Sequence, residues 1–119
     1  MAGKKGSFPQ RGSVYRVQFD PTVGREIRKT RPAVVVSNDD MNELSATVLI
    51  MPITAGNYDY YHWIALKPPE GGLTKPSSIV TEQIRAVDKR RLKRRLGQVA
   101  DKTMRKIEDA VRTHFALPE

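Results

Sequence analysis

The sequence predicts an α+β domain in which a small, strongly bent antiparallel β-sheet is followed by one C-terminal α-helix. Three observations lead to this prediction. Five or six short segments are apolar or alternate between apolar and polar residues, glycines and prolines separate them, and only Asp101–Phe115 has helical periodicity. The 119 residues suffice for one such domain with a single core, so no second domain is expected.

The first strand is predicted over Val14–Phe19. Tyr15, Val17 and Phe19 share one face of this segment and alternate with the other positions, as in a half-buried strand. Pro21 ends the strand, because proline has no amide hydrogen to donate to a sheet.

A charged segment, Thr22–Thr30, is too polar for a core and is predicted to be a surface loop. Ala33–Val36 and Thr47–Ile53 are almost continuously apolar and rich in β-branched residues, so both are predicted to be central strands covered on both faces. Asn38–Ser45 joins them and has room for a helical turn.

Three further segments complete the predicted sheet. Tyr61–Leu66 alternates, Ile79–Val87 is predicted to be one strand, and Leu92–Val99 fits either a strand or a short helical turn. Residues 56–57 and the proline- and glycine-rich segment Lys67–Pro76 are predicted to be loops beside a functional site.

In the C-terminal segment, Met104, Ile107, Val111 and Phe115 fall on one helical stripe, and Asp101 can serve as the N-cap. Such a stripe normally covers a core. Short strands and one terminal helix together favour an SH3-like barrel.

Residues 1–10 contain glycine, proline and polar residues and are predicted to be a flexible tail, with residues 11–119 as the single domain. Lys4 and Lys5 are not followed by an apolar run, so we expect no signal peptide, and no segment approaches the roughly 18 apolar residues of a membrane helix. The absence of cysteine excludes disulfides and thiolate chemistry and suits the cytoplasm.

Lysine and arginine number 21 against 13 aspartate and glutamate, which gives a net charge of +8. An excess of this size attracts polyanions such as nucleic acid, although it also keeps proteins soluble. Seven of the basic residues lie in Arg85–Arg95, and Tyr58, Tyr60, Tyr61 and Trp63 supply rings on which bases could stack. A solvated basic face is the alternative interpretation of the same pattern.

The sequence shows no framework for a metal site, since it has only two histidines, His62 and His114, and no cysteine. Each histidine is predicted to be structural, with a two-histidine ribonuclease mechanism as the less favoured alternative. No phosphate-binding glycine loop or nucleophile elbow is present. No metal and no cofactor are therefore expected.

Four basic residues surround Glu26 within Arg25–Pro32, and the last of them, Arg31, precedes proline. Proline disfavours helix at the residue before it, so Arg31 is expected to be extended and to present its guanidinium to a phosphate. A structural ion pair with Glu26 or Asp39 fits the sequence equally well. Thr54 follows an apolar strand, a position where threonine is more often structural.

Five segments resemble the MazF/PemK family of toxins from toxin-antitoxin pairs. They are RGSVY at Arg11–Tyr15, FDPTVGRE at Phe19–Glu26, RPAVVVSND at Arg31–Asp39, PIT at Pro52–Thr54 and EQIRAVDKRRL at Glu82–Leu92. The resemblance extends from about Arg11 to Phe115, and the segments occur in the family's order.

The resemblance implies an SH3-like barrel with a C-terminal helix, a homodimer, and cleavage of single-stranded RNA at short sequences without a metal. By position it implies that Arg31 and Thr54 are catalytic and that Glu26 and Gln83 line the RNA groove. Arg25 stands where many relatives have serine, so a phosphate contact is expected to replace a hydroxyl contact.

With these assignments, Arg28, Lys29 and Tyr58 join Arg25, Glu26 and Gln83 as expected RNA-binding residues. The family also implies a MazE-like antitoxin partner, acidic and partly disordered. Two alternatives remain at this point: a non-enzymatic topoisomerase poison that resembles CcdB, and an RNA-binding barrel without catalysis.

Overall fold

The computed structural model describes residues 7–21, 23–26 and 29–118. Arg28 and residues 1–6 of the predicted tail lie outside the described residues. Seven strands form one bent antiparallel sheet, and a helix follows it. The predicted α+β class is therefore confirmed. The strands are β1 (Ser13–Gln18), β2 (Thr30–Val35), β3 (Thr47–Ala55), β4 (Ile64–Leu66), β5 (Ser77–Ile79), β6 (Arg85–Asp88) and β7 (Leu92–Gln98).

The spatial order of the strands is β4-β5-β3-β2-β1-β7, and β6 pairs with the other half of β3. Two helices complete the fold: the short α1 (Asp39–Leu44), capped by the side chain of Asn38, and the terminal α2 (Asp101–His114). The sheet curves because β7 pairs with β1 through two register shifts, where extra residues of β7 bulge out.

Buried side chains form two cores on opposite faces of the central strands, as the apolar runs of β2 and β3 predict. The helix-side core contains Val14, Val34, Met51, Ile53, Ile64, Leu66, Leu73, Ile79, Val99, Met104 and Ile107. The distal core contains Val17, Phe19, Ala33, Val35, Val48, Ile50 and Val87. Neighbouring residues of one strand enter different cores because side chains alternate across a sheet.

The prediction of one strand over Ile79–Val87 is wrong. β5 and β6 are separate, with a 3₁₀ turn at Thr81–Gln83 between them. The break faces Pro52, whose carbonyl accepts from the Val80 amide at 2.8 Å. Because Pro52 has no amide hydrogen to return, the ladder cannot continue there and the chain turns outward.

Two other strand boundaries differ from the prediction. β2 begins at Thr30, ahead of the predicted Ala33, because Arg31 and Pro32 pair with β1. β4 is restricted to Ile64–Leu66, and His62, which was expected in that strand, lies in a turn with a positive φ of 58°. Leu92–Gln98 is a strand rather than a helical turn.

The predicted N-cap of α2 is also wrong. The N-cap position is Ala100, and the carboxylate of Glu70 accepts from the Ala100 amide at 3.0 Å and from the hydroxyl of Thr103. Met104 and Ile107 are buried as predicted, but Phe115 follows the last helical residue and is 58% exposed.

Candidate active site

Antiparallel pairing of β2 with β3 brings the strand ends that carry Arg31 and Thr54 side by side. β2 and β3 pair Ala33 with Pro52 and Val34 with Met51. The pairs end at Ala33 and Pro52, two residues before Arg31 and Thr54, and Arg31 lines a cavity together with Ile53 and Ala55, the two neighbours of Thr54. Arg31 is exposed and Thr54 is half-buried, so both can meet a ligand at this end of the strands.

The face on which they lie follows from their neighbours. Arg31 also pairs with Val17 of β1, which is buried in the distal core. Directly opposite residues of antiparallel strands project to the same face. Arg31 and Thr54 therefore occupy the rim of the distal face, where the apolar core gives way to solvent.

A cavity of about 210 Å³, here called the distal cavity, opens on this face. It is lined by Phe19, Glu26, Pro52, Glu82, Gln83, Ile84 and Arg85. The break that Pro52 causes between β5 and β6 turns Gln83 into this cavity, opposite the loop that carries Glu26. The two expected groove residues, Glu26 and Gln83, are thus brought together.

The predictions missed the other two charged residues of the distal cavity, Glu82 and Arg85. Arg85 holds its guanidinium 5.8 Å from the centre of the Phe19 ring, and Glu82 lines the wall beside Gln83. Both fall within the EQIRAVDKRRL segment, so that motif carried the available signal. The sequence alone could not predict that Phe19 lies beneath Arg85, because this contact depends on pairing between distant strands.

Phe19, the first residue after β1, is buried, whereas residues 20–21, 23–26 and 29 of the loop between β1 and β2 are exposed, as predicted for this segment. Glu26 closes a turn in it, since its carboxylate accepts from the Val23 amide at 2.7 Å. Arg25 is exposed on this turn. Lys29 is exposed with a φ of 65°, and its carbonyl accepts from the Phe19 amide at 2.8 Å. The ends of the loop are thereby held against the distal face.

The rings of Tyr58, Tyr60 and Trp63 pack together beside the site and are here called the aromatic ledge. Tyr58 and Tyr60 stack with centroids 5.6 Å apart, and Trp63 meets Tyr60 edge-on at 4.7 Å. The Trp63 indole donates to the Glu82 carboxylate at 2.8 Å, which ties the ledge to the wall of the distal cavity.

The ledge is also anchored next to Thr54. Ser78 pairs with Thr54 across β3 and β5. The Ser78 hydroxyl accepts from the Tyr58 amide at 3.3 Å and donates to the Gly56 carbonyl at 2.7 Å. Tyr58, predicted to bind RNA, therefore starts its loop from the strand pair that carries Thr54.

A second cavity, of about 220 Å³, lies on the helix-side face and is here called the helix-side cavity. Its lining includes Arg16, Arg31 and Lys75 and no carboxylate. Arg31 thus borders this cavity while its strand position belongs to the distal face.

The two histidines lie together, and neither lines the distal or the helix-side cavity. Their rings are 5.8 Å apart, and the Thr81 hydroxyl lies 2.8 Å from Nε2 of His114 and donates to the His62 carbonyl at 3.0 Å. These contacts join α2 to the turn before β4. They support the structural role predicted for both histidines.

A family model described as the PemK-like, MazF-like toxin of type II toxin-antitoxin systems matches residues 10–115. The chain belongs to this family. It is 35% identical to the endoribonuclease MazF of Staphylococcus saprophyticus over 110 residues, which are 91% of this chain and 92% of that protein.

Solved structures agree with this membership in the PemK/MazF family. A mycobacterial endoribonuclease superposes with a TM-score of 0.76 and 30% identity over 93% of this chain and 94% of its own. A second structure, an endoribonuclease in complex with its cognate antitoxin from a mycobacterial species, has a TM-score of 0.73 and 30% identity over 93% and 96%. MazF of Deinococcus radiodurans shares the fold, with a TM-score of 0.81 at 20% identity over 92% and 97%.

The described residues contain neither a metal-binding cluster nor a membrane-spanning helix. No group of three or more histidine, cysteine, aspartate or glutamate residues there is arranged to hold a metal ion. No helix of residues 7–118, leaving aside the undescribed positions, is long and apolar enough to cross a membrane.

Proposed function

We propose that this PemK/MazF-family protein is the toxin of a toxin-antitoxin pair and cuts single-stranded RNA at specific sequences without a metal ion. The chain is an endoribonuclease, given its family and its 35% identity to a MazF endoribonuclease over almost its whole length. The observation that carries the finer proposal is the position of Arg31 and Thr54 at adjoining ends of the paired strands β2 and β3, where Arg31 lines one cavity with both neighbours of Thr54, Ile53 and Ala55.

The proposed reaction uses the 2′-hydroxyl of the RNA as the nucleophile. Its oxygen forms a bond to the adjacent phosphorus while the bond from phosphorus to the 5′-oxygen breaks. The 2′-hydroxyl gives up its proton and the departing 5′-oxygen gains one, so the products are a 2′,3′-cyclic phosphate and a 5′-hydroxyl. The nucleophile is already tethered to its target, so correct positioning supplies much of the acceleration.

Arg31 is assigned the role of stabilising the negative charge that develops on the phosphoryl oxygens. A guanidinium offers several donors in a planar fork, which matches a phosphate, and it keeps its proton near neutral pH. It is therefore suited to electrostatic stabilisation rather than to proton abstraction. Thr54, across the strand pair, is assigned a hydrogen bond that orients the phosphate.

Glu26 is the proposed proton acceptor. It lines the distal cavity and is the carboxylate that the loop between β1 and β2 carries toward the site. Its hydrogen bond from the Val23 amide fixes the carboxylate while leaving further acceptor positions for the 2′-hydroxyl.

The remaining residues are assigned to RNA binding. Arg25, Arg28 and Lys29 provide cations for phosphates, and Gln83 offers an amide that can read a base edge in the distal cavity. Tyr58 starts an aromatic ledge on which an unpaired base can stack.

A cognate antitoxin and a homodimer complete the proposal, together with a cytoplasmic location. The mycobacterial relative in complex with its antitoxin supports the first of these. An acidic, partly disordered antitoxin segment would complement a toxin of net charge +8.

The test is cleavage of a long, mostly unpaired RNA in the presence of EDTA, with the fragment ends mapped. We expect discrete cuts with 5′-hydroxyl ends. Arg31→Ala should lower the rate by about 10²- to 10³-fold or more, as loss of a transition-state donor does. Thr54→Ser, which keeps the hydroxyl, should retain more activity than Thr54→Ala.

Arg105→Ala, which removes an exposed arginine of α2, is the matched control and should cleave normally. Near wild-type cleavage by Arg31→Ala would refute the assignment of Arg31. Dependence on a divalent ion would refute the metal-free chemistry. Intact RNA across varied sequences would favour a topoisomerase poison or a binding-only barrel.

A further inference from the structure

The helix-side cavity is cationic. Arg16, Arg31 and Lys75 line it with Thr74 and Ser77 and no carboxylate. None of the ion pairs among the described residues includes Arg16 or Lys75. Arg16 and Lys75 are exposed, form no ion pair with the described residues and face no carboxylate in the lining, so they offer an external anion a binding site.

The positive surface continues onto β7 because of a bulge. Tyr15 pairs with Arg95 and Val17 with Leu92, so one residue of β1 opposes two residues of β7, Lys93 and Arg94. A regular strand would alternate its side chains between the faces. Instead, Lys93, Arg94 and Arg95 are all exposed in succession.

The second bulge of β7 indicates the direction of these side chains. There Leu96 packs on the helix-side core, and the adjacent Gly97 pairs with Val14 of the same core. Two consecutive bulge residues thus share the helix-side face. By the same geometry, Lys93 and Arg94 lie on the face of Arg16, the residue of β1 that they oppose.

Arg16 connects the cavity to the bulge. It lines the helix-side cavity, pairs with Pro32 of β2, and is held by a hydrogen bond from its Nη2 to the Thr30 carbonyl at 3.1 Å. The side chain of Arg94 forms no hydrogen bond or ion pair within the part of the chain that the structure describes, so its guanidinium is available. From β7 to β5, the strand that follows Lys75, is four strand spacings of about 4.8 Å, or roughly 19 Å along the sheet.

We infer that Arg16, Lys75 and Arg94 form a second phosphate-binding track, which holds the RNA backbone beyond the scissile phosphate. The inference rests on the proposed function, in which Arg31 contacts the scissile phosphate. Arg31 lies near the N-terminal end of β2 and also borders the helix-side cavity. An RNA strand that passes from the reaction centre around this end of β2 therefore meets Arg16 and Lys75 first and then Arg94. Contacts of this kind are independent of base sequence.

The decisive variant is the double substitution Lys75→Ala with Arg94→Ala, because neither residue is part of the proposed catalytic group. The matched control is Arg105→Ala with Lys106→Ala, which removes two exposed charges from α2. Arg16→Ala is measured separately, since it also loses the bond to the Thr30 carbonyl beside Arg31.

Binding is measured by fluorescence anisotropy with a single-stranded 2′-O-methyl RNA, which keeps the phosphates and lacks the attacking hydroxyl. Each lost phosphate contact lowers the slope of log affinity against log salt by about 0.7, so the double variant should lose about 1.4. When salt rises from about 50 to 200 mM, the factor by which its affinity falls should therefore be about sevenfold smaller than the factor for the wild type. The control should keep the wild-type slope.

Cleavage gives the second readout. The double variant should cut a short RNA that contains little beyond the cleavage site at the wild-type rate, and should lose the advantage that the wild type has on a longer RNA. If the double variant matches the control in both assays, the proposed track is refuted. If the wild-type protein cleaves RNA in the same experiment, the proposed function still holds.

If the wild type cleaves no RNA, the proposed function fails, and the salt slope still decides whether the track binds single-stranded RNA. An unchanged RNA slope with weakened binding of an acidic peptide also overturns the inference, because the surface would then serve a protein partner.

Discussion

Asp88 and Arg90 form a compact ion pair at the end of β6. The Asp88 carboxylate accepts from the Arg90 amide at 2.8 Å, from Nε at 3.1 Å and from Nη2 at 3.1 Å. The side-chain hydrogen bond of Arg90, followed by its backbone amide, lowers the pKa of Asp88 from 3.8 to about 2. This residue therefore stays charged in the most basic segment of the chain.

We predict an Asp88 titration midpoint of about 2, measured by NMR of the carboxyl carbon. Its folded-state pKa is lowered, so its stabilising contribution is present above pH 3.8 and is lost as the pH falls toward 2. Arg90→Ala should return the midpoint toward 3.8, whereas Lys93→Ala, a nearby cation that does not touch the carboxylate, should not. A wild-type midpoint near 3.8 would contradict the pairing.

At the same scale, the sequence predicted individual site residues unevenly. Glu26 and Gln83 were assigned through family motifs, and the structure brings them to one cavity. Arg16 and Lys75 gave no signal, because nothing in their local sequence indicates that Arg16 on β1 and Lys75 before β5 line the same cavity. Motifs report residues that a family shares, whereas such cavities arise from the pairing of distant strands.

Among the elements, β3 shows how a single residue alters a partner strand. Pro52 belongs to an apolar run and does not interrupt its own strand, so the prediction of β3 is confirmed. Its effect falls on the neighbouring segment, where β5 and β6 separate. The pattern of Ile79–Val87 alone could not reveal this break, because its cause lies in another strand.

The start of α2 provides an element-scale prediction. Glu70 caps the helix from a distant turn, while Asp101 makes no capping hydrogen bond. Glu70→Ala should lower the free energy of unfolding by about 1–2 kcal/mol, as loss of an N-cap acceptor does. Asp101→Ala should cost less, about 0.3–1 kcal/mol, since only its interaction with the helix dipole is lost.

Urea denaturation followed by circular dichroism measures both variants of the α2 start. The sequence alone favours the opposite order, with Asp101 as the cap and Glu70 as a loop residue. A larger loss for Asp101→Ala would therefore restore the sequence-based interpretation and contradict the cap seen in the structure.

In the whole molecule, the two cores explain why the fold class was predictable. Ala33, Val34 and Val35 are all fully buried, which requires cover on both faces of β2, and the sequence indicates this by a run without alternation. The curvature of the sheet was harder to predict from the sequence. It depends on bulges in β7, a strand whose exposed run of basic residues hides the usual alternation.

The exposed apolar surface gives the whole-molecule prediction, which concerns the proposed homodimer. Seven large hydrophobic side chains among the described residues are exposed, and five of them come from two segments, 58–61 and 115–117. The rings of Tyr61 and His114 are 6.0 Å apart, which joins these segments into one surface at the end of α2. Concentration of apolar groups in one area is typical of an interface.

We therefore expect the double substitution Phe115→Ser with Leu117→Ser to shift the protein from dimer to monomer in sedimentation velocity. Leu44→Ser is the control, because Leu44 is 82% exposed on α1, and it should leave the dimer intact. Circular dichroism separates dissociation from unfolding. A folded double variant that remains dimeric would place the interface elsewhere, whereas a folded monomer with reduced RNA cleavage would indicate that a complete active site requires the second copy.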